Sequence, residues 1–396
     1  MSVSITAYPA NNGDSFLVSF SGLKITHVLI DGGYSSTYSN YIKHDLLEIA
    51  KIGGWLERLI VTHIDSDHIS GVKTFLAENN RSPIISIDQV WHNSFRHFVP
   101  SSNSQLEHKE EDLLRKIIQR GAPRQEIKKT PHEISAEQGS AVGALLLQGK
   151  YAWNTDFNGL AVATENKDHI LLDGGVSVRL LSPDLEKLDL LREIWKMQLS
   201  KYGLSGSIKQ NELYDDAFEL GLLWETNAKR KVSGNISSVK YSFESLLASK
   251  FTADTSPTNG SSIAFVLEFE GKKLLFTGDA HPDLICRSLR IHFPDKDNII
   301  FDLVKVSHHG SLGTLSPDFL QLVDSKRYLF TSDGSGHGHP DAETIAKFVG
   351  RPSQFTRQII FNYMTLQSQF FEDTSLQKKY NYSLHYVNKP PYRFSI

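Results

Sequence analysis

The residues best suited to chemistry lie in a short run, Thr62 to Gly71, that follows the apolar residues Leu59 to Val61. Two histidines and two aspartates fall within six positions of this run: His63, Asp65, Asp67 and His68. Imidazole and carboxylate groups bind zinc, manganese and iron, and a cation would offset the repulsion among the acidic side chains. No lysine or arginine stands among them to do so. The run therefore predicts a divalent metal site and, with it, metal-assisted hydrolysis.

Other short apolar segments also end in side chains that could bind a metal. Their polar ends are Asp31, Asp279, the adjacent pair His308 and His309, and His339. Strand ends at one edge of a sheet sandwich bring distant parts of a sequence together, so these groups could complete a coordination sphere. Each has a simpler interpretation as well. Asp279 could form a turn, the paired histidines could be ordinary surface or core residues, and His339 could cap a loop.

The elements that must position these groups are predicted from apolar periodicity. Before residue 100, strands are expected at 4–8, 16–20, 27–30, 59–61 and 84–91, and helices at 41–52 and 72–78. The middle of the chain predicts helices at 106–121, 136–148 and 185–202, strands at 159–163, 170–172 and 176–181, and a polar, loop-like lid or rim over 205–250. Strands are expected again at 262–269, 273–277, 303–306 and 328–331, with helices at 282–292, 317–323 and 341–349. Strands that alternate with helices indicate an α/β sandwich.

The bulk composition is that of a globular protein with one large domain or two ordinary ones, since the 396 residues are 40% hydrophobic and 22% charged. A formal net charge of -3 gives no general positive field for nucleic acid, although a hydrolase that meets DNA transiently need not be basic. Cys286 is the only cysteine, which excludes an intrachain disulfide and favours a reducing compartment. Neither a secretory signal nor a membrane-spanning run is found, so a cytoplasmic protein is expected.

The motifs, taken together, resemble those of the metallo-β-lactamase superfamily, and within it the soluble hydrolase domain of ComEC-type DNA-uptake proteins. The matching segments follow one order along the chain: 12–14, 29–33, 62–71, 181–183, 259–262, 276–279, 304–311 and 338–340. The resemblance implies an α/β fold, the metallo-β-lactamase αββα sandwich, with a large mixed helical and β insertion. Residues 1–100 and 251–396 would form the two halves of that sandwich. Residues 101–250 would be the insertion or lid, with some core strands at 159–183.

The same resemblance implies a centre of two divalent metal ions, zinc or manganese. The candidate ligands are His63, Asp65, Asp67, His68, Asp279, His308 and His309. In this assignment the first two residues bind one ion, the next two bind the other, and Asp279 bridges the ions. One histidine of the adjacent pair completes the second set, and which of the two does so is left open.

Catalysis would fall to Asp67 and His339. Asp67, with Asp279, would help to orient a bridging hydroxide. His339, or the second histidine of the adjacent pair, would steady the developing charge or protonate the leaving group. Two departures from the wider superfamily are shared with the ComEC-like branch. Asp65 stands where many relatives have a histidine, which favours a harder ion such as manganese. Asn259 stands where those relatives place another metal-binding histidine, so occupancy of the first metal position is left open.

Polar residues near the same strand ends are candidate substrate contacts: Asn259, His92, His337 and Ser311. His92 follows the strand that ends at Trp91, where it could also supply a missing ligand or contact only the polar insertion. His337 is equally ambiguous.

The resemblance favours a phosphodiester substrate, and hence a phosphodiesterase or nuclease. One alternative is a small phosphoester hydrolase, acting for instance on phosphorylcholine as in some relatives. Another is a non-catalytic scaffold of the same fold in a multi-protein system, for example in defence against foreign DNA. The expected partners are nucleic acid or a small phosphodiester substrate and, hypothetically, neighbouring proteins. No membrane contact is expected, and the oligomeric state is left open.

Overall fold

The structure is a computed structural model that describes residues 2–99, 106–121, 141–204, 211–229, 242–336, 338–387 and 391–396. Its framework is two β-sheets. The first sheet has six strands, in spatial order Tyr392–Ser395, Ser2–Ala7, Phe16–Ser21, Ile25–Ile30, Leu56–Ile60 and Ile87–Trp91. Its first four strands pair antiparallel and its last three pair parallel.

The second sheet has eight strands and is also mixed. In spatial order they are Tyr382–Tyr386, Arg357–Phe361, Arg327–Phe330, Leu303–Lys305, Lys272–Phe276, Ala264–Phe269, Val176–Ser182 and His169–Leu172. The first five pair parallel and the last four antiparallel. A small parallel pair, Ile299–Phe301 with Val323–Ser325, lies beside it.

Helices cover the outer faces of both sheets. Those against the first sheet are Lys43–Lys51, Ser66–Arg81, His108–Gly121, Val142–Gln148, Leu185–Lys201 and Glu212–Lys229. Those against the second sheet are Phe243–Leu247, Pro282–His292, Pro317–Leu322, Ala342–Val349 and Thr374–Tyr380. Short helical turns lie at Ser35–Thr37, Tyr38–Ile42, Pro257–Gly260 and Leu366–Gln369.

Three apolar cores hold these four layers together. The central core lies between the sheets, where Val18 and Ile60 of the first sheet join Phe265 and Leu329 of the second. Each outer core joins one sheet to its own helices. The predicted α/β fold class, an αββα sandwich, is therefore confirmed. Among the described residues no helix is long and apolar enough to cross a membrane.

Two predicted elements in the middle of the chain are wrong. Residues 159–163 form no strand, although 161–163 are buried, because the side chain of Asn93 takes the place of a neighbouring strand and bonds both N and O of Val162 at 2.8 Å. The polar lid expected over 205–250 contains the helices Glu212–Lys229 and Phe243–Leu247 instead. The residues between these helices lie outside the described part of the chain. The proposed division at residues 100 and 250 stays a prediction.

A buried ion pair stabilises the second sheet at the end where its strand Arg357–Phe361 begins. Arg357, 1% exposed, donates from Nε and Nη2 to the two carboxylate oxygens of Asp324 at 2.9 and 2.8 Å. The hydroxyl of Tyr328 donates to the same carboxylate at 2.9 Å. Burial alone would raise the pKa of Asp324, but the hydrogen bond from Arg357 and the charge of Arg351 lower it.

Replacing this carboxylate by an amide should be strongly destabilising. Asp324→Asn leaves the Arg357 guanidinium buried without its counter-ion, which should lower the free energy of unfolding at pH 7 by about 3 kcal/mol. Because the pKa of Asp324 is depressed by folding, the wild-type advantage is full above the unfolded-state pKa of about 3.9 and shrinks as the pH falls below it. Urea unfolding at pH 7, 5 and 3 measures this difference. The exposed Asp297→Asn is the control, and an equal loss in both variants would contradict the prediction.

Candidate metal centre

The start of the helix Ser66–Arg81 positions the central motif. Asp65 is the N-cap residue, and Asp67 and His68 lie in the first helical turn. The sequence-predicted start at Val72 is therefore wrong by about two turns, because the acidic first turn lacks apolar periodicity. Helix N-termini favour negative charge, so the two carboxylates suit this position even before any cation is considered.

Close backbone contacts lock this turn against neighbouring loops. A Cβ atom at Gly13 would lie 2.0 Å from the carbonyl oxygen of Asp67, and one at Gly71 would lie 2.0 Å from that of Gly32. Only glycine allows such an approach. The backbone N of Asp14 donates to the carbonyl of Asp67 at 3.2 Å, so the first hairpin and the helix start form one unit.

The second sheet brings the remaining groups to the same edge. Lys272–Phe276 and Leu303–Lys305 are parallel neighbours with Phe276 opposite Lys305, so Asp279 and the pair His308 and His309 follow adjacent strand ends. Both histidines have left-handed backbone angles, with φ of 46° and 55°. Such conformations are costly in non-glycine residues and occur where function requires a particular side-chain direction.

Asp279 lies at the middle of the resulting cluster. Its carboxylate oxygens lie 3.7 Å from Nε2 of His63, His68 and His309 and 3.9 Å from Nε2 of His308. The side chains of His63 and His68 are fully buried. The structure therefore brings the candidate ligands of both halves of the sequence together around one carboxylate.

The carboxylates of Asp65 and Asp67 contact different histidines of this cluster. Oδ2 of Asp65 is 3.8 Å from Nε2 of His63, whereas Oδ2 of Asp67 is 3.6 Å from Nε2 of His309. The negative charge of Asp65 also contributes to the raised pKa of His308. Asp65 thus lies near His63 and acts on His308 through its charge, whereas Asp67 lies near His309.

The outer nitrogen of three of these histidines faces a further carboxylate. Nδ1 lies 2.8 Å from Asp31 in His68, 3.2 Å from Asp254 in His308 and 3.5 Å from Asp14 in His309. A carboxylate can only accept, so Nδ1 presents its hydrogen there, and Nε2 would offer a lone pair to a cation that replaced its proton. Metal-binding histidines are typically oriented in this way.

Sequence reasoning missed Asp14 and Asp254 as members of this group. Asp14 was noted only within the segment 12–14 that resembles the family motifs, and no role was predicted for it. Asp254 lies in a loop with no motif around it, and only the folded chain brings it to His308. Asn259 supports this contact, because its Nδ2 donates to Asp254 at 2.6 Å.

Several inward-facing atoms have no hydrogen-bond partner among the described residues. They are Nε2 of His63, His68 and His309 and Oδ1 of Asp279, all buried. Asp14, His68, Asp279 and His309 can each offer a ligand atom within 4.8 Å of the others. Buried polar atoms are rarely left unpaired, and a cation would satisfy all of these at once. The donor set therefore fits a metal ion.

The pKa values reflect this crowding. Burial works against charge on His68, but the carboxylates of Asp279 and Asp31 outweigh it and raise the pKa of that imidazole to about 10. In His63, burial and the neighbouring His68 lower the pKa to about 3. The pKa of Asp279 is far below its usual value in spite of burial, chiefly because of His309 and His68.

Lys305 is an unexpected member of the site. Its side chain is 1% exposed, and Nζ pairs with Asp14, donates to the carbonyl of Gly278 at 3.1 Å and lies 3.8 Å from Oδ1 of Asp279. The only sequence signal was a lysine within an otherwise apolar strand. This fixed positive charge offsets part of the negative charge gathered at the cluster.

The remaining candidates differ in their distance from the cluster. The ring of His339 lies 5.3 Å from that of His308, and its Nδ1 lies 3.0 Å from Asp341. The Ser311 hydroxyl accepts from Gly313 N at 3.3 Å, as part of a turn.

His92 contacts a different group of residues. It stacks on Trp153, with its Nε2 3.5 Å from Glu219, and none of its described contacts joins it to Asp279. His337 lies outside the described residues.

Comparisons with known proteins give no match in sequence and several low-identity similarities among solved structures. No family model and no curated protein matches the chain. Among solved structures it is similar to the metallo-β-lactamase fold protein YhfI from Bacillus subtilis, with a TM-score of 0.40 and 8% identity over 100% of both chains. It is also similar to a mutant of the β-hydroxylase CmlA, with a TM-score of 0.34 and 11% identity over 99% of this chain and 53% of that one. A protein of unknown function from Enterococcus faecalis V583 follows, with a TM-score of 0.29 and 9% identity over 98% and 78% of the two chains.

At these identities none of these similarities transfers an activity to this chain. The resemblance to the DNA-uptake branch stays a prediction.

Removing the carboxylate that contacts Nδ1 of His68 should weaken metal binding. Asp31 accepts from Thr62 N at 2.8 Å and from Nδ1 of His68 at 2.8 Å. In Asp31→Asn the new amide can donate to Nδ1, which favours the tautomer with hydrogen on Nε2. Metal affinity should then fall about 10- to 100-fold. Competition titration with a chromophoric chelator measures it. The exposed Asp173→Asn is the control, and unchanged affinity in Asp31→Asn would contradict the expected role.

Proposed function

We propose that this chain is a metal-dependent hydrolase that cleaves phosphodiesters, as a phosphodiesterase or nuclease. The observation that supports it most directly is the buried cluster of histidine Nε2 atoms around the Asp279 carboxylate. A structural role for so many ligand-type groups would leave their inward-facing atoms unsatisfied.

The contacts of Asp65 and Asp67 suggest two ligand sets. His63, Asp65 and His308 would hold one divalent ion, and Asp67, His68 and His309 the other, with Asp279 shared between them. His308 would then supply the ligand that the sequence lacks at Asn259. This assignment differs from the expectation that the adjacent pair contributes only one histidine.

When bound, two such ions would supply Lewis acidity and a nucleophilic hydroxide at neutral pH. The chain itself holds and orients the reacting groups. Asn12 Nδ2 donates to Oδ2 of Asp67 at 2.9 Å and fixes that carboxylate. Hydrolysis of a phosphodiester forms one bond from a water oxygen to phosphorus and breaks one P–O ester bond, and the departing oxygen takes a proton.

The open side of the cluster is suited to that last step. The side chains of His308, Asp65, Asp254 and His339 are 19%, 16%, 14% and 13% exposed, whereas His63 and His68 are fully buried. A substrate would therefore approach from the side of His308 and His339. His339, oriented by Asp341, is the candidate donor to the departing oxygen.

A substrate panel tests the proposal. The purified protein with Mn²⁺, Zn²⁺ or Mg²⁺ should hydrolyse bis(p-nitrophenyl) phosphate and single- or double-stranded DNA or RNA. A variant carrying both Asp67→Ala and His68→Ala is the matched control and should be inactive. Metal analysis should find about two equivalents in the wild type. Equal background rates in both proteins would refute the proposal, and the absence of bound metal would favour a non-catalytic scaffold.

A further inference from the structure

Two roles are open to Asp14 at the candidate metal centre. It can offer a ligand atom within 4.8 Å of those of His68, Asp279 and His309, so distance alone would admit it as a ligand. Its Oδ1 also lies 3.5 Å from Nδ1 of His309, whose Nε2 faces Asp279. As a ligand, Asp14 would add a negative charge to the coordination sphere, whereas as an outer partner it would orient His309.

Lys305 extends from the second sheet into the space between the two sheets. Side chains alternate along the strand Leu303–Lys305, and Leu303 packs in the central core, whereas Val304 packs against the outer helices. Lys305 therefore points toward the central core, and its side chain is 1% exposed. A buried ammonium group requires a counter-ion close by.

The counter-ion of Lys305 is Asp14. Nζ pairs with Oδ2 of this carboxylate, which is also 1% exposed, and the hydroxyl of Thr331 donates to Oδ1. Asp14 thus has a cation on one oxygen and a hydroxyl on the other. Nζ also donates to the carbonyl of Gly278 at 3.1 Å and lies 3.8 Å from Oδ1 of Asp279. The positive charge of Lys305 therefore lies beside the carboxylate at the middle of the cluster.

We propose that Lys305 keeps Asp14 out of the coordination sphere and thereby limits the metal affinity of the centre. The ammonium group would repel a divalent ion held by Asp279, and it would hold Asp14 as the outer partner of His309. In this role Lys305 is a positioning residue. The inference rests on the proposed function only for the presence of bound metal, and it identifies the residue that sets how tightly that metal is held.

Removal of the ammonium group should tighten metal binding. Lys305→Met removes the charge and frees Asp14 to contact a bound ion, so the affinity for one metal equivalent should rise about tenfold or more. Damage to a site lowers affinity, so a structural role alone would not produce this gain. Competition titration of the metal-free protein with Zn²⁺ and a chromophoric chelator measures it. The matched control is Lys326→Met, which removes a 55% exposed lysine that pairs with Asp302, and it should keep the wild-type affinity.

A second substitution shows whether Asp14 is responsible for the gain. Lys305→Met combined with Asp14→Asn should return the affinity to the wild-type value or below it, because an amide is a weaker ligand than a carboxylate. Lys305→Gln retains a hydrogen-bond donor and should behave like Lys305→Met, so it decides the outcome if the methionine variant does not fold.

The outcomes distinguish this inference from the proposed function. An unchanged or lower affinity without Lys305 would overturn the inference, and so would a gain that persists with Asp14→Asn. A gain that Asp14→Asn removes, in a protein that hydrolyses no phosphodiester, would support the inference and refute the hydrolase. A wild-type protein that binds no metal would refute both.

Discussion

Asp279→Asn is expected to lower kcat/KM for bis(p-nitrophenyl) phosphate by about 10³-fold or more, which corresponds to about 4 kcal/mol of transition-state stabilisation. The carboxylate lies within 3.9 Å of Nε2 of four histidines, and it is the one group shared by both proposed ligand sets. An amide has nearly the same shape but presents an NH₂ group on one side. Bound metal should therefore fall from about two equivalents to one or none.

The control for this variant is another largely buried aspartate of the same sheet. Asp302 precedes the strand Leu303–Lys305 at its opposite end and pairs with Lys326 at 2.8 Å. Asp302→Asn should keep both activity and metal. Circular dichroism and thermal unfolding would show whether Asp279→Asn is folded, since loss of a buried charge beside His68 also affects stability. A folded Asp279→Asn protein with full metal content and full activity would contradict the role of this residue.

The motif residues were the part of the site that the sequence could predict. His63, Asp65, Asp67 and His68 lie within six positions, so their chemistry was visible without any knowledge of the fold. Asp279 and the paired histidines became credible because each followed an apolar segment. The structure places all of them around one carboxylate, as expected for strand ends that meet at one edge.

The carboxylates that contact the outer nitrogens of the histidines were harder to predict from the sequence. Asp14 contacts His309, which lies 295 residues further along the chain, and Asp254 contacts His308, which lies 54 residues further along. Isolated aspartates in loops are ordinary turn formers, and only tertiary structure distinguishes these two from the others. Lys305 was missed because a lysine at the end of an apolar strand is usually exposed.

The errors in the fold have similar causes. Residues 159–163 have the apolar composition of a strand, but Asn93 supplies hydrogen bonds that a neighbouring strand would otherwise make. In the helix Glu212–Lys229, the buried residues Tyr214, Ala217 and Phe218 have helical spacing, whereas the sequence on either side of the helix is mainly polar. The composition of the surrounding segment obscured that pattern. The local sequence is a poor guide to whether a segment forms a strand, a helix or a loop where side chains from distant elements complete its hydrogen bonds or its apolar core.

The adjacent histidines provide the sharpest test of how the centre is arranged. His308 and His309 are consecutive, yet the proposed ligand sets separate them, with His308 beside Asp65 and His309 beside Asp67. His308→Ala and His309→Ala should each lower the affinity for one of the two metal equivalents by about 100-fold or more. This loss is larger than the one expected for Asp31→Asn, because a direct ligand is removed. Stepwise titration of the metal-free protein with Zn²⁺ or Mn²⁺ would resolve the two equivalents.

Double-mutant cycles then show which residues share an ion. His308→Ala combined with Asp65→Ala should be non-additive in metal affinity by about 1 kcal/mol or more, and so should His309→Ala combined with Asp67→Ala. The crossed combinations, His308 with Asp67 and His309 with Asp65, serve as matched controls and should be close to additive, because their members would bind different ions. Coupling confined to the crossed pairs would show that the two histidines exchange places. Coupling of only one of the two histidines with both aspartates would show that this histidine alone binds metal. The second histidine would then act on the substrate.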